Sequence, residues 1–178
     1  MSVVHRFRIT FHAPFRVSTG NAAPGVDDTA NIKQPLPASS LKGLMRHSAT
    51  EFFPNDVDAV FGGPGLSSPW AWDPPLFDTV PQQSVRSRIS LVDGTAERGG
   101  LLVQQELWAE SAQFDICQIE PLSASELNKC RIILESSARA THHLGADRRR
   151  GLGWVSIEPC NSLDINTLVH AITTGKYQ

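Results

Sequence analysis

Hydrophobic and polar positions along the chain change period several times, and each change marks an element. Residues 3–11 alternate, with Phe7, Ile9 and Phe11 on one side and Arg6, Arg8 and Thr10 on the other. A period of two predicts a half-buried strand. A loop rich in Gly, Ala, Asp and Pro follows from about residue 17 to 37. Leu41, Leu44, Met45, Phe52 and Phe53 then recur at helical spacing, so a helix capped by Ser39 or Ser40 is expected to run to Pro54. Lys42 and Arg46, four residues apart, share one face of it.

Residues 62–84 hold glycines, prolines and the pair Trp70 and Trp72, which reads as an ordered but irregular insertion. Val85, Ser87, Ile89 and Leu91 alternate with Arg86, Arg88 and Ser90, predicting a second strand. Gly94 and the pair Gly99 and Gly100 bracket an expected loop, with further strands over 101–110 and 113–119. Ser123 and Glu126 have the spacing of a capping box, opening a second helix that buries Leu127, Cys130, Ile133, Leu134 and Ala138. A last strand over 153–159 and a short helix from Ser162 complete the order.

Strand, helix, two or more strands, helix, strand is the βαββαβ order of a ferredoxin-like (RRM-like) α+β domain. The expected sheet is antiparallel, with both helices on one face and the other face free, as in RNA-recognition domains. The fold alone assigns no function.

Composition narrows the class. A chain of 178 residues with 40% hydrophobic and 19% charged residues fits one globular domain over 1–178. No apolar run reaches membrane-spanning length and no signal-peptide pattern opens the chain, so no membrane partner and a cytoplasmic location are expected. Cys117, Cys130 and Cys160 are too scattered for a disulfide framework or a zinc cluster. The formal net charge of −2 is not that of a free-standing nucleic-acid binder. Distribution changes that picture: basic residues gather at Arg6 and Arg8, Lys42 and Arg46, Arg86 and Arg88, and Arg148, Arg149 and Arg150, while Asp56, Asp58, Asp73 and Asp78 fall elsewhere, for a different face or a neighbouring subunit to use. Twelve of the 16 basic residues are arginine, which suits bidentate phosphate contacts.

Three segments carry a more specific chemistry. In Leu36-Pro-Ala-Ser-Ser-Leu-Lys-Gly-Leu-Met-Arg46, the first helical amides and the Ser39 and Ser40 hydroxyls form an anion site, with Lys42 and Arg46 adding charge. In His143-Leu-Gly-Ala-Asp-Arg-Arg-Arg-Gly-Leu-Gly-Trp-Val155, Gly145, Gly151 and Gly153 permit positive φ, and Arg148, Arg149 and Arg150 supply phosphate contacts. The third segment is the Arg86 and Arg88 strand with the one that follows it, ending in Glu106. Each has a plainer competitor: an ordinary helix start, a basic surface turn, a solvated strand face.

Taken in order, the three segments resemble the CRISPR-associated RAMP superfamily, particularly the repeated backbone subunit of type III effector complexes. The resemblance spans about Val4 to Ile157; Ala146 departs from it, standing where a second glycine is common. It implies a guide-RNA-binding subunit stacked against neighbouring copies and other subunits, with a thumb hairpin, within an irregular region at about 62–110, that folds over the guide. It also implies that an aspartate in the 17–37 loop cuts target RNA at regular intervals. Asp27, with Asp28 beside it, matches that position, either binding a divalent ion (magnesium or manganese) or orienting the attacking 2′-hydroxyl. The alternatives are a non-catalytic structural or capping RNA-binding subunit, and a ferredoxin-like interaction domain indifferent to nucleic acid. Guide-processing enzymes of the superfamily usually have two tandem halves, which disfavours that role. His12 and His47 have no evident partner in the sequence, and His142 and His143 are expected to cap a helix end.

Overall fold

The structure is a computed structural model that describes residues 3–177. Its strands are β1 (Val4–Phe11), β2 (Trp70–Trp72), β3 (Leu76–Phe77), β4 (Gln82–Val92), β5 (Thr95–Trp108), β6 (Ser111–Gln118) and β7 (Val155–Pro159). Its helices are α1 (Ala38–Phe52), α2 (Val57–Phe61), α3 (Ala124–Ala140) and α4 (Ile165–Thr174), with a single 3₁₀ turn at Arg148–Arg150.

The main sheet is antiparallel and runs β2-β6-β1-β7, with β3 also pairing β6. The alternation in β1 works as expected: Phe7, Ile9 and Phe11 are buried and join Ala112, Phe114 and Ile116 of β6 and Val155 and Ile157 of β7. Leu41, Met45 and Ala49 of α1 and Ile132, Ile133 and Leu134 of α3 complete the same core. Removing a side chain such as Phe7 or Ile133 from water contributes roughly 1.5–3 kcal/mol. The opposite face of β1 carries Arg6 and Arg8, both exposed.

Four sequence expectations are corrected. Neither Ser39 nor Ser40 caps α1: Pro37 is the N-cap, no side chain caps the helix, and both serines lie in the first turn. Proline suits that boundary because an N-cap is extended, as Pro37 is (φ −60°, ψ 142°), and its ring nitrogen has no N–H to leave unpaired. The irregular insertion contains the strands of one sheet edge, since β2 and β3 fall within it. They are short, but Trp70 is buried, Trp72 packs 6.2 Å from Phe114, and Phe77 stacks near Phe11 and Phe15. The strand bearing Arg86 and Arg88 is not in the main sheet; β4 pairs only with β5, in a separate two-stranded ribbon. Finally, the expected loop from Gly94 to Gly100 is ribbon. Asp93 (φ 50°) and Gly94 (φ 78°) make the turn, and β5 starts at Thr95. Two successive positive-φ residues match the twist of a hairpin, whereas ordinary turns would splay it.

The capping box at the start of α3 is present in both halves. Ser123 Oγ accepts from the Glu126 amide at 3.3 Å, and Glu126 Oε2 accepts from the Ser123 amide at 2.8 Å.

Candidate nucleic-acid interface

The root of the ribbon, the loop after β1 and the glycine-rich loop before β7 meet around one arginine. Phe15 anchors the first contact: its amide donates to the Leu107 carbonyl at 2.8 Å, and the Leu107 amide donates back at 2.8 Å. Arg16 follows, so its side chain is carried inward and is only 5% exposed. One guanidinium nitrogen donates to Asp28 Oδ2 and the other to Asp147 Oδ2. A buried guanidinium needs such partners, because removing the charge from water costs several kcal/mol. The other oxygen of Asp28 accepts from Ser18 Oγ at 2.6 Å. Asp147 Oδ1 accepts from Arg88 at 3.1 Å, and Arg150 lies 3.5 Å away. Asp147 is thus shared by three arginines from three segments.

The 17–37 loop lies along β5 rather than hanging free. The Asp27 amide donates to the Val103 carbonyl at 2.8 Å, and the Val103 amide donates to Asp27 Oδ2 at 2.7 Å. The Gln105 amide donates to the Asp28 carbonyl at 2.9 Å, and Gln105 Oε1 accepts from the Ala30 amide at 3.0 Å. Asp27 remains exposed, with one oxygen engaged. Asp28 has both oxygens committed. Among the described residues no group of three or more His, Cys, Asp or Glu side chains could hold a metal ion. The described residues therefore build no preformed cage. Asp27 offers one oxygen ligand, which fits only an ion that takes the rest of its shell from water and phosphate, as magnesium commonly does.

The glycine-rich loop is shaped by close approach. At Gly153 (φ 73°) a Cβ would sit 1.9 Å from the Leu144 carbonyl oxygen, and at Gly145 (φ 76°) 2.3 Å from that of Arg16. The Ala146 amide donates to the Arg16 carbonyl at 2.8 Å, so the loop and the Arg16 segment hold one another. Arg148, Arg149 and Arg150 project outward and are exposed. Arg148 and Arg149 have no carboxylate partner among the described residues.

The remaining basic residues are placed differently. Arg86 donates to Glu106 at 2.7 Å and Arg88 to Asp147 at 3.1 Å, so both arginines of β4 face a carboxylate. Arg46 donates to Asp58 Oδ1 at 2.6 Å and to the Gly62 carbonyl at 2.6 Å. Lys42 has no ion-pair partner among the described residues; burial and then Arg46 lower its pKa. Ser39, Ser40, Lys42 and Arg46 do not join the Arg16 network. On the open face of the sheet, Arg6 grips Asp115 through two bonds of 2.8 and 2.7 Å, and Arg8 reaches Asp78 at 2.7 Å. Asp58 and Asp78, with Asp115, therefore neutralise Arg46, Arg8 and Arg6 locally, whereas Asp56 pairs with Lys129. The open-face positions of β1 and β6 (Val4, Arg6, Arg8, Thr10, Ser111, Gln113, Asp115 and Cys117) are without an aromatic ring for base stacking.

Two features escaped the sequence reading. Arg16 is one. The other is Trp154, 55% exposed at the end of the glycine-rich loop, with its ring 5.0 Å from His12. His12 in turn shares a 2.8 Å hydrogen bond with Ser156 Oγ.

No family model matches the chain, and no curated protein matches it. Solved structures do. The chain has the fold of subunits in a type III-B CRISPR effector complex. It is similar, with a TM-score of 0.65 and 12% identity, to a chain in the cryo-EM structure of the apo state of type III-B Cmr-beta, covering 89% of this chain and 98% of that one. A second neighbour comes from Cmr-beta bound to cognate target RNA, with a TM-score of 0.62, 14% identity and 89% coverage of this chain. This chain spans 60% of that neighbour's length. At these identities the likeness shows the fold. Among the described residues no helix is long and apolar enough to cross a membrane.

Proposed function

We propose that this chain is a guide-RNA-binding backbone subunit of a type III CRISPR effector complex, built on a ferredoxin-like βαββαβ core with the β4–β5 ribbon as its thumb. The observation that carries the reading is the glycine-rich loop. It is fixed to the core through Gly145, Gly153 and Asp147, yet it presents Arg148 and Arg149 outward as cations free of carboxylates. Phosphate contacts of this kind hold a strand without reading its sequence, which the guide's own pairing supplies. Trp154 beside the loop offers a stacking surface for one base. Arg86, Arg88 and Arg150 contribute by exchanging a carboxylate for phosphate. Lys42, with Ser39 and Ser40 in the first turn of α1, forms a separate anion contact. Neighbouring copies and other subunits are the protein partners, and target RNA pairs with the held guide.

Asp27 is the candidate for target-RNA cleavage, since it is exposed at the ribbon root with one oxygen free. It would hold a divalent ion or orient the attacking 2′-hydroxyl. Asp28 serves that site by anchoring the loop through Arg16. The alternative, a non-catalytic structural subunit, shares everything but this step.

The test is fluorescence-anisotropy binding of guide RNA across a salt series, with Arg148→Ala/Arg149→Ala alongside wild type. Binding that falls steeply with salt is expected, and the double variant should flatten the log–log slope by about 1.4, from roughly 0.7 per single-strand phosphate contact. An unchanged slope overturns the role of the loop. Asp27→Ala in the assembled complex with guide, target and magnesium then separates the two alternatives: regular cuts lost with binding intact identify the nuclease.

A further inference from the structure

The arginines around the glycine-rich loop are not equally free. Arg148 and Arg149 have no carboxylate partner among the described residues, whereas Arg88 and Arg150 both face Asp147 Oδ1, at 3.1 and 3.5 Å. The same two arginines line one groove of about 560 Å³ between the ribbon and the loop, walled by Ile89, Ser90, Gly100 and Leu102. Asp147 is not part of that lining, so it holds both guanidiniums from the protein side while the groove leaves them open to a strand. Arg88 is 26% and Arg150 63% exposed, so an incoming anion can reach either. A guanidinium has five donors, and Asp147 takes one from Arg88, so donors remain for that anion.

Asp147 is fixed twice over. Its Oδ2 accepts from Arg16, whose side chain is only 5% exposed and out of reach of RNA. Its backbone has a φ of 56°, and among the described residues Asp93 is the only other non-glycine residue with positive φ. That conformation is uncommon for any residue with a Cβ, and aspartate and asparagine tolerate it best. At this point the chain turns the carboxylate inward and starts the 3₁₀ turn whose three arginines stand exposed. Backbone and side chain together therefore hold one negative charge beneath Arg88 and Arg150.

Charge sets the consequence. Arg16 is already balanced by Asp28. The charge of Asp147 is thus left to Arg88 and Arg150, and it cancels one of the two cations lining the groove. A phosphate entering the groove competes for donors with an acceptor already in place. A lone phosphate meets that competition unaided. A strand held by Arg148 and Arg149, the residues just before Arg150, brings its next phosphate at high effective concentration.

We infer that Asp147 is a built-in competitor of the RNA backbone: a carboxylate that occupies Arg88 and Arg150 until a strand already held by Arg148 and Arg149 displaces Oδ1, while Oδ2 stays on Arg16. The inference rests on the RNA-binding reading above and adds regulation to that site. The loop favours strands long enough to span both pairs of arginines and discriminates against short anions.

The experiment measures affinity of the full chain for a 20-nucleotide oligouridine at pH 7 over a salt series. Asp147→Asn and Asp147→Gly both suit left-handed backbone and remove the charge, and the asparagine keeps an acceptor for Arg16. Asp28→Asn is the baseline, since it removes a charge from the same network without touching either groove arginine. Relative to that baseline, the Asp147 variants should steepen the log–log slope by roughly 0.7, which is about fivefold tighter binding at 0.1 M salt. In an Arg88→Gln/Arg150→Gln background the difference from Asp28→Asn should vanish. Asp147 variants no steeper than Asp28→Asn, or a difference that persists without Arg88 and Arg150, overturn the competitor and leave the RNA reading standing. A wild type with no salt-sensitive binding overturns the RNA reading and the competitor with it.

Discussion

Replacing Arg16 tests whether the meeting of loop, ribbon root and glycine-rich loop depends on one buried charge. Arg16→Met keeps most of the volume and removes the cation, leaving Asp28 and Asp147 facing an apolar side chain. Breaking a buried pair by deleting one partner costs about 3–5 kcal/mol. Here the carboxylates are 20% and 16% exposed, Asp28 keeps Ser18, and Asp147 keeps Arg88 and Arg150, so the lower end of about 3 kcal/mol applies. A chain of this size loses roughly 2–4 °C of melting temperature per kcal/mol, which gives a fall of about 6–12 °C. Arg16→Lys keeps the charge but reaches one carboxylate at a time, and should fall about half as far. Circular dichroism melts at pH 7 measure both. Adding Asp28→Asn to Arg16→Met relieves the stranded charge and should recover part of the loss, a non-additivity expected only of contacting groups. A Met variant within about 2 °C of wild type, or full additivity with Asp28→Asn, would show that Arg16 acts only by filling space.

Three further outcomes follow from the geometry. Gly153→Ala should destabilise far more than Gly151→Ala: both positions have positive φ, but an added Cβ meets the Leu144 carbonyl at Gly153 and open space at Gly151, so paired thermal melts should differ by several degrees. His5, its ring 5.1 Å from Trp70, is held at a pKa of about 4 by burial and then by Arg131. The unfolded chain therefore binds the extra proton first. His5's contribution to stability is whole above about pH 6.5 and is lost as pH falls toward 4; urea midpoints of His5→Phe should decline less between pH 7 and pH 5 than those of wild type. Trp154→Ala should weaken binding of single-stranded RNA by about 1–3 kcal/mol, with no change in salt slope, because stacking releases no counterions. A flattened slope in that variant would show the loop itself to have moved.

The legible parts of the fold were those whose signals are local. β1 alternates cleanly because one face meets the core and the other meets water, and α3 announces itself through the Ser123 and Glu126 box. The strands of the β2 and β3 edge were hidden because they are three and two residues long and lie among prolines. The ribbon was half visible: Asp93-Gly94 is a strong hairpin signal, but Gly99 and Gly100 inside β5 drew the reading toward a loop. Arg16 gave no signal, since its partners lie 12 and 131 positions away and nothing nearby distinguishes it from a surface arginine. The same limit applied to charge. Arg6 with Asp115, Arg8 with Asp78 and Arg46 with Asp58 are long-range pairs, so clusters that looked free along the chain are largely neutralised in space. Of the candidate arginines, Arg148 and Arg149 alone have no carboxylate partner among the described residues.

The ribbon has a mechanical consequence. It is held to the body at its root, where the Asp27 and Asp28 segment lies along β5 and Arg88 reaches Asp147. Beyond that its strands pair only with each other, and Val85, Ile89 and Leu101 are more than half exposed. A two-stranded hairpin with water on both faces is only marginally stable alone. Its outer half can therefore unzip from the Asp93-Gly94 end without disturbing the core, while its inner half opens only with the Arg16 network. The protein is a rigid body that ends in a compliant tip, able to conform to whatever lies against it at little cost to the fold.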